Sequence, residues 1–123
     1  MPSFGELLRE KRRATGMSQR ELAKRINVDF SYISKLENDR LPPPSSETAA
    51  KIAVELGCAP EGLLSAARKF PVGVEGAISS EPSALRFLQR AVSLDLSSVE
   101  WDDMLTRLDA LRGPATNRKE DQP

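Results

Sequence analysis

A chain of 123 residues with 39% apolar and 5% aromatic side chains holds one domain, or one small domain with an appendage, and is too short for a large catalytic cavity. It has no histidine and a single cysteine, Cys58, which exclude a His-based triad, a His metal site and an internal disulfide, and which suit a reducing cytosol. Net charge is zero, but residues 1–40 carry nine Lys/Arg against six Asp/Glu and residues 71–112 four against seven; either the two ends prefer different partners or the difference is scatter.

Ser3 opens the first helix: "SFGE" reads as a capping box in which Ser3 accepts from a first-turn amide and Glu6 reaches back. Phe4, Leu7, Leu8 and Ala14 fall on one side, with Glu10, Lys11 and Arg13 towards water, and Gly16 ends the helix. "SQRE" at 18–21 repeats the capping box and opens a second helix with Leu22, Ala23 and Ile26 inward. Asn27, tolerant of the left-handed region, breaks it. Val28 turns inward, and Asp29 caps a third helix, "FSYISKLEN", whose inward residues are Ile33 and Leu36.

"LPPPSSE" cannot be helical, and its three prolines set an extended connection. Ser45 caps a fourth helix with Ala49, Ile52, Ala53 and Leu56 on its core face and Gly57 as the stop. "APEGLLSAARKF" makes a short fifth helix, with Pro60 in its first turn. Residues 71–82, "PVGVEGAISSEP", read as a linker. Beyond it, "PSALRFLQRAVS" and "SSVEWDDMLTRLDALRG" form two amphipathic helices over 83–113, and the tail 114–123 should be disordered. No apolar run approaches the ~18 residues of a membrane span, and "MPSFGELLRE" lacks an apolar stretch after a basic start. A soluble, cytoplasmic protein is expected.

Two short helices, a tight turn and a small residue, Ala23, where their axes cross form the geometry of a helix-turn-helix. Neither helix is stable alone, because nucleation is costly. At this point "SQRELAKRINVDFSYISKLEN", followed by "PPPSSETAAKIAVELGCAPEGLL", resembles the Xre-type, lambda-repressor-like helix-turn-helix domains, over roughly residues 4–68. The resemblance implies an all-α fold: a five-helix DNA-binding domain over 1–70, here followed by the two-helix extension. It also implies a homodimer that binds a palindromic operator in double-stranded DNA, with the third helix in the major groove. Two residues depart from the family's pattern: Asn27 stands where glycine is usual in the turn, and Asp39 where glycine often follows "EN".

Roles follow for the third helix, whose start would face base edges. Phe30, Ser31, Ser34 and Lys35 become the base readers: lysine donates to guanine O6 and N7, serine adapts to several bases, and Phe30 suits a thymine methyl. Ser18, Gln19, Arg20, Tyr32, Asn38 and Arg40 become phosphate contacts, with the free amides of the second helix as an anion site. Phe30 and Tyr32 also suit packing against neighbouring helices, Ser34 is ordinary on an exposed face, and a residue such as Ser18 is more often just a cap. Arg13 and Lys24 read as solvated. In families of this kind an arginine of the first helix pairs with a glutamate of the third, and Arg12 and Glu37 match those positions as a structural ion pair.

The last two helices carry Leu85, Leu88, Val92, Trp101, Met104, Leu105 and Leu108, apolar surface with no use inside the first domain. Three readings stand open: a hairpin that makes or supports the dimer, a hairpin packed back on the fifth helix, and a docking site for another protein such as a toxin, an antirepressor or a protease. Glu100, Asp102, Asp103 and Asp109 keep this end from phosphate in each case. The leading functional reading is a sequence-specific transcriptional repressor on the nucleoid. Its rival is an antitoxin-like or protease-sensitive regulator. An enzyme is not expected: Cys58 sits at an apolar helix end and the carboxylates show no paired arrangement. No cofactor or metal is expected either.

Overall fold

In a computed structural model, which describes residues 1–113, the described residues form eight helices and no strand: α1 (Phe4–Thr15), α2 (Gln19–Arg25), α3 (Phe30–Glu37), α4 (Ser46–Leu56), α5 (Glu61–Ala67), α6 (Val74–Ser79), α7 (Pro82–Ser93) and α8 (Ser98–Leu111). The chain divides into two units, Met1–Ala77 and the residues from Ile78 onward. The disordered tail expected at 114–123 lies outside the described residues. No helix among these is long and apolar enough to cross a membrane.

In the first unit α1–α5 close around a core of Leu8, Leu22, Ile33, Leu36, Ile52 and Leu63, at least one large side chain from each helix, all fully buried. Ala23 is buried where α2 meets α3; a larger side chain there would push the two helices apart. The turn between them runs through Asn27 at φ 60, and Val28 N donates to Ala23 O at 2.9 Å, so the helix ends in a left-handed residue without needing glycine.

Several local details differ from the sequence expectation. The buried stripe of α1 is Phe4, Leu8 and Arg12, spaced by four, whereas Ala14 is exposed. Ser3 and Glu6 form a complete capping box. Ser18 caps α2 through Glu21 N, but the Glu21 carboxylate accepts from Arg25 Nε at 3.0 Å, an i,i+4 ion pair that draws it away from the cap. Asp29 occupies the N-cap of α3 without a side-chain cap bond. Within the linker expected at 71–82, Val74–Ser79 are helical with no buried residue; Gly73 at φ 87 and Pro82 punctuate the ends of a stretch whose middle, "VEGAIS", still supports about one and a half turns.

In the second unit α7 starts on Pro82, with Glu81 at its N-cap accepting from Ser83 N. α8 starts on a complete capping box of Ser97 and Glu100. Among the described residues of this unit only Ala91 is buried, while Leu85, Phe87, Val92, Trp101, Leu105, Leu108 and Leu111 are exposed.

Candidate nucleic-acid interface

With Ile33, Leu36 and Glu37 directed inward, helical periodicity turns Ser31 and Lys35 to solvent. Ser34 is half-buried. Tyr32 is also half-buried and packs against the core, while lining an open groove of about 620 Å³ with Asn27, Ser31, Lys35 and Thr48. Its ring is therefore partly structural. Phe30, at the first position of α3, stays 39% exposed, and its ring lies under the Arg20 guanidinium, 4.4 Å from ring centroid to the guanidinium carbon. The structure thus brings Arg20 of α2 and Phe30 of α3 together.

Glu37 organises the opposite end of α3. Arg12 donates through Nε to Oε2 at 2.5 Å and through Nη2 to Oε1 at 2.9 Å, and its Nη1 donates to Met17 O at 2.7 Å. Gln19 Nε2 donates to Glu37 Oε1 at 2.9 Å, so an N–H of the Gln19 amide is used inside the protein and the other remains for an outside acceptor. Arg9, which sequence reasoning passed over, donates through Nη2 to Glu37 O at 3.2 Å and places Nε 3.5 Å from Oε1. Burial works to raise the Glu37 carboxyl, but hydrogen bonds from Arg12 and Gln19 and the charges of Arg12 and Arg9 outweigh it and hold the group below the usual carboxylate range. The Arg12 guanidinium is raised by its hydrogen bond to Glu37, against the effect of burial. Both stay charged, which ties α1, the start of α2 and the end of α3 into one rigid piece.

Residues 38–40 carry the chain out of α3. Asn38 accepts from Arg9 Nη2 at 2.7 Å and donates to Ser34 O at 2.9 Å, so its amide is oriented from both ends. Asp39, at φ 56, accepts from Ser3 Oγ at 2.7 Å and from Gly5 N at 3.1 Å, placing a carboxylate on the positive end of α1. A Cβ at Gly5 would collide with the carbonyl oxygens of Leu36 and Glu37 and with that carboxylate, which explains the glycine in the first turn of a helix. Arg40 is exposed. Ser18 Oγ accepts from Glu21 N at 3.0 Å, and its hydroxyl hydrogen remains available to a further acceptor. Among the residues missed, Arg9 had a signal, being one turn before Arg12 on the same helix. The contact of Asp39 with Ser3 and Gly5 had none, because it joins distant parts of the chain.

In the second unit, Leu85, Val92, Trp101, Leu105 and Leu108 are exposed, and Leu88 and Met104 half-buried. An apolar groove of about 390 Å³ brings Phe87 of α7 to Trp101, Met104, Leu105, Leu108 and Leu111 of α8. Leu85, Leu88 and Val92 do not line it. The sequence expectation followed the i, i+3, i+7 stripe of α7 and passed over Phe87 and the buried Ala91, which share the neighbouring i, i+4 stripe.

The chain matches the helix-turn-helix family model over residues 8–63. Over 96 residues it is 33% identical to the uncharacterized HTH-type transcriptional regulator RghRB of Bacillus subtilis (strain 168), an alignment that covers 76% of this chain and 69% of that protein. Among solved structures it is similar to the master regulator for biofilm formation SinR in complex with DNA, at 30% identity over 50% of this chain and 97% of that one, with a TM-score of 0.47. It is also similar to the clp gene regulator ClgR from C. glutamicum, at 35% identity over 53% of this chain and 83% of that one, with a TM-score of 0.47.

Proposed function

The chain belongs to the Xre-type helix-turn-helix family of DNA-binding transcription regulators, and from that premise we propose that it is a homodimeric repressor that reads a palindromic operator through α3 and occludes a promoter. The observation that carries the reading is the outward surface of α3: Ser31 and Lys35 are exposed on a helix whose other side is locked into the core by Ile33, Leu36 and the Glu37 network. A rigid helix with free hydrogen-bonding side chains is what base-edge reading requires. Phe30, Ser31, Ser34 and Lys35 face the bases. Ser18, Gln19, Tyr32, Asn38 and Arg40 contact phosphates, with the amides at the start of α2 beside them. The protein works in the cytoplasm, on the nucleoid.

A domain of this size covers few base pairs, and two copies double the interface. The second copy is the occupant proposed for the apolar face of α7 and α8. Arg86 and Arg90 make α7 basic, with no acid between Pro82 and Ser93, whereas α8 carries Glu100, Asp102, Asp103 and Asp109 against a single Arg107. A two-fold axis that lays α7 of one copy along α8 of the other matches opposite charges twice around one apolar seam.

Selection on random DNA duplexes, combined with the solution mass of the full chain, tests both parts. The expected outcome is a palindrome with half-sites about one helical turn apart, bound by a dimer, with affinity falling by about 0.9 log units per log unit of salt for each phosphate neutralised. No enriched duplex, or a flat salt response, sinks the DNA-reading part. A monomeric mass sinks the two-copy part and turns attention to a foreign protein partner on the same face.

A further inference from the structure

The stack of Arg20 on Phe30 goes beyond what either residue does alone. Among the described residues Arg20 has no carboxylate partner, whereas its neighbour Arg25 on the same helix is held by Glu21 at 3.0 Å and lies 3.9 Å from Glu55. Arg20 is instead held by the ring of Phe30, 4.4 Å from its centroid. Stacking fixes the plane of a guanidinium and leaves its five N–H donors at the rim. A phosphate contact needs only positive charge within reach and works with a flexible arm. A fixed plane matters where two parallel donors must meet two acceptors, as with O6 and N7 of guanine. Phe30 is the first residue of α3, and in this motif the start of the second helix is the end that meets base edges.

We infer that Arg20, held flat on the exposed Phe30 ring, reads a guanine in each half-site, with Phe30 as its positioning residue. Base readout then comes from α2 as well as α3, and Arg20 is not the phosphate contact its position in sequence implies. One face of the Phe30 ring is covered by Arg20, and the part of the side chain that stays exposed is left for a thymine methyl. This inference rests on the regulator reading above.

The test is duplex selection with the full chain as wild type, Arg20→Ala, Arg20→Lys, Phe30→Leu and Phe30→Tyr. Arg20 and Phe30 are both exposed, so the variants keep the core. Arg20→Ala should erase the preference for one guanine per half-site, roughly 5- to 150-fold. Arg20→Lys should restore the charge without restoring that preference. Phe30→Leu should relax the same base position, and Phe30→Tyr, which keeps the ring, should retain it. If Arg20→Ala weakens all duplexes alike, lowers the salt slope by about 0.9 and is rescued by lysine, Arg20 is a phosphate contact and the inference is overturned. It is equally overturned if Phe30→Leu leaves the guanine preference intact. A wild-type chain that enriches no duplex overturns the regulator reading, and this inference with it.

Discussion

Helices α1 and α8 begin alike, each on a Ser-x-x-Glu capping box formed in full, yet the units they belong to treat their apolar residues differently. In Met1–Ala77 the two helices of the motif are short, with seven residues in α2 and eight in α3 beside twelve in α1 and eleven in α4, and nearly every large apolar side chain of α1–α5 reaches the core. In the second unit both helices are longer than α2 and α3, twelve residues in α7 and fourteen in α8, but Trp101 is 41% exposed and Leu108 63% exposed. Helices of seven or eight residues owe their stability to packing, whereas longer capped helices draw more from their own hydrogen bonds. The first unit is thus complete in itself, while the second carries helical order with an apolar seam that a further surface would bury.

The largest expected effect breaks the first unit alone. Arg12→Ala leaves the fully buried Glu37 carboxylate without its two-pronged donor, at a cost of about 3–5 kcal/mol, and should lower the thermal midpoint steeply while DNA affinity falls only as the folded fraction falls. An unchanged melt would remove the pair from any structural role. The same site sets an acid limit. Glu37 is held below its ordinary value, so its stabilising contribution is complete above about pH 4.3, the ordinary glutamate value, and drains away as pH drops through the lower, folded-state value. Denaturant midpoints measured between neutral and acid pH should therefore fall less steeply for Glu37→Gln than for wild type, from a lower starting stability.

Next in size is an effect confined to the second unit. Leu108→Asp places a charge in the exposed seam of α8 and should weaken self-association by about 2 kcal/mol or more, read as a shift towards monomer in sedimentation equilibrium. The melt of the first unit should not move. A dimer of unaltered strength would show that the two copies meet elsewhere. Smaller again, and at the DNA surface, Lys35→Ala should cost about 1–3 kcal/mol at a single base position of each half-site and little on other duplexes.

What could be read from the sequence follows the same division. Caps and stops are local, so Ser3, Gly16, Ser45 and Gly57 marked the ends of α1 and α4 without help from tertiary structure. The inward face of α4 was equally plain, since Ala49, Ile52, Ala53 and Leu56 keep strict helical spacing. The face of α1 was misread at Ala14 because a buried arginine, Arg12, continues the stripe where an apolar residue was sought. The partner of Glu37 comes only by resemblance; Arg9 shares a helix face with Arg12 one turn away, but nothing in spacing reports that Gln19 donates to the same carboxylate across the core. The stack of Arg20 on Phe30 depends on how the turn at Asn27 aims two helices, which a pattern of polar and apolar residues does not encode. In the second unit the pattern identified both helices, but no rule of spacing chooses between two neighbouring stripes when most of their large side chains are exposed, and Phe87 was lost for that reason.

Ser→Ala at the two capping boxes makes one chemical change in both units and has the smallest expected effect on each. Ser3→Ala removes the acceptor for Glu6 N at 3.1 Å and also the donor to Asp39 at 2.7 Å, so α1 loses its cap and Asp39 loses a partner. A loss of about 1 kcal/mol is expected, and because α1 carries Leu8 and Arg12 of the shared core, it should lower the midpoint of the whole first unit in one transition. Ser97→Ala removes the acceptor for Glu100 N at 3.2 Å, while the backbone N–H at position 97, which donates to Glu100 Oε1 at 3.0 Å and does most to hold that carboxyl below its usual range, stays in place. There the cap should fray α8 locally, seen as reduced helicity and faster amide exchange at Ser98–Glu100 with the main melt in place. If Ser97→Ala instead lowers the main melt as Ser3→Ala does, the two units unfold together, and the independence argued from their burial is wrong.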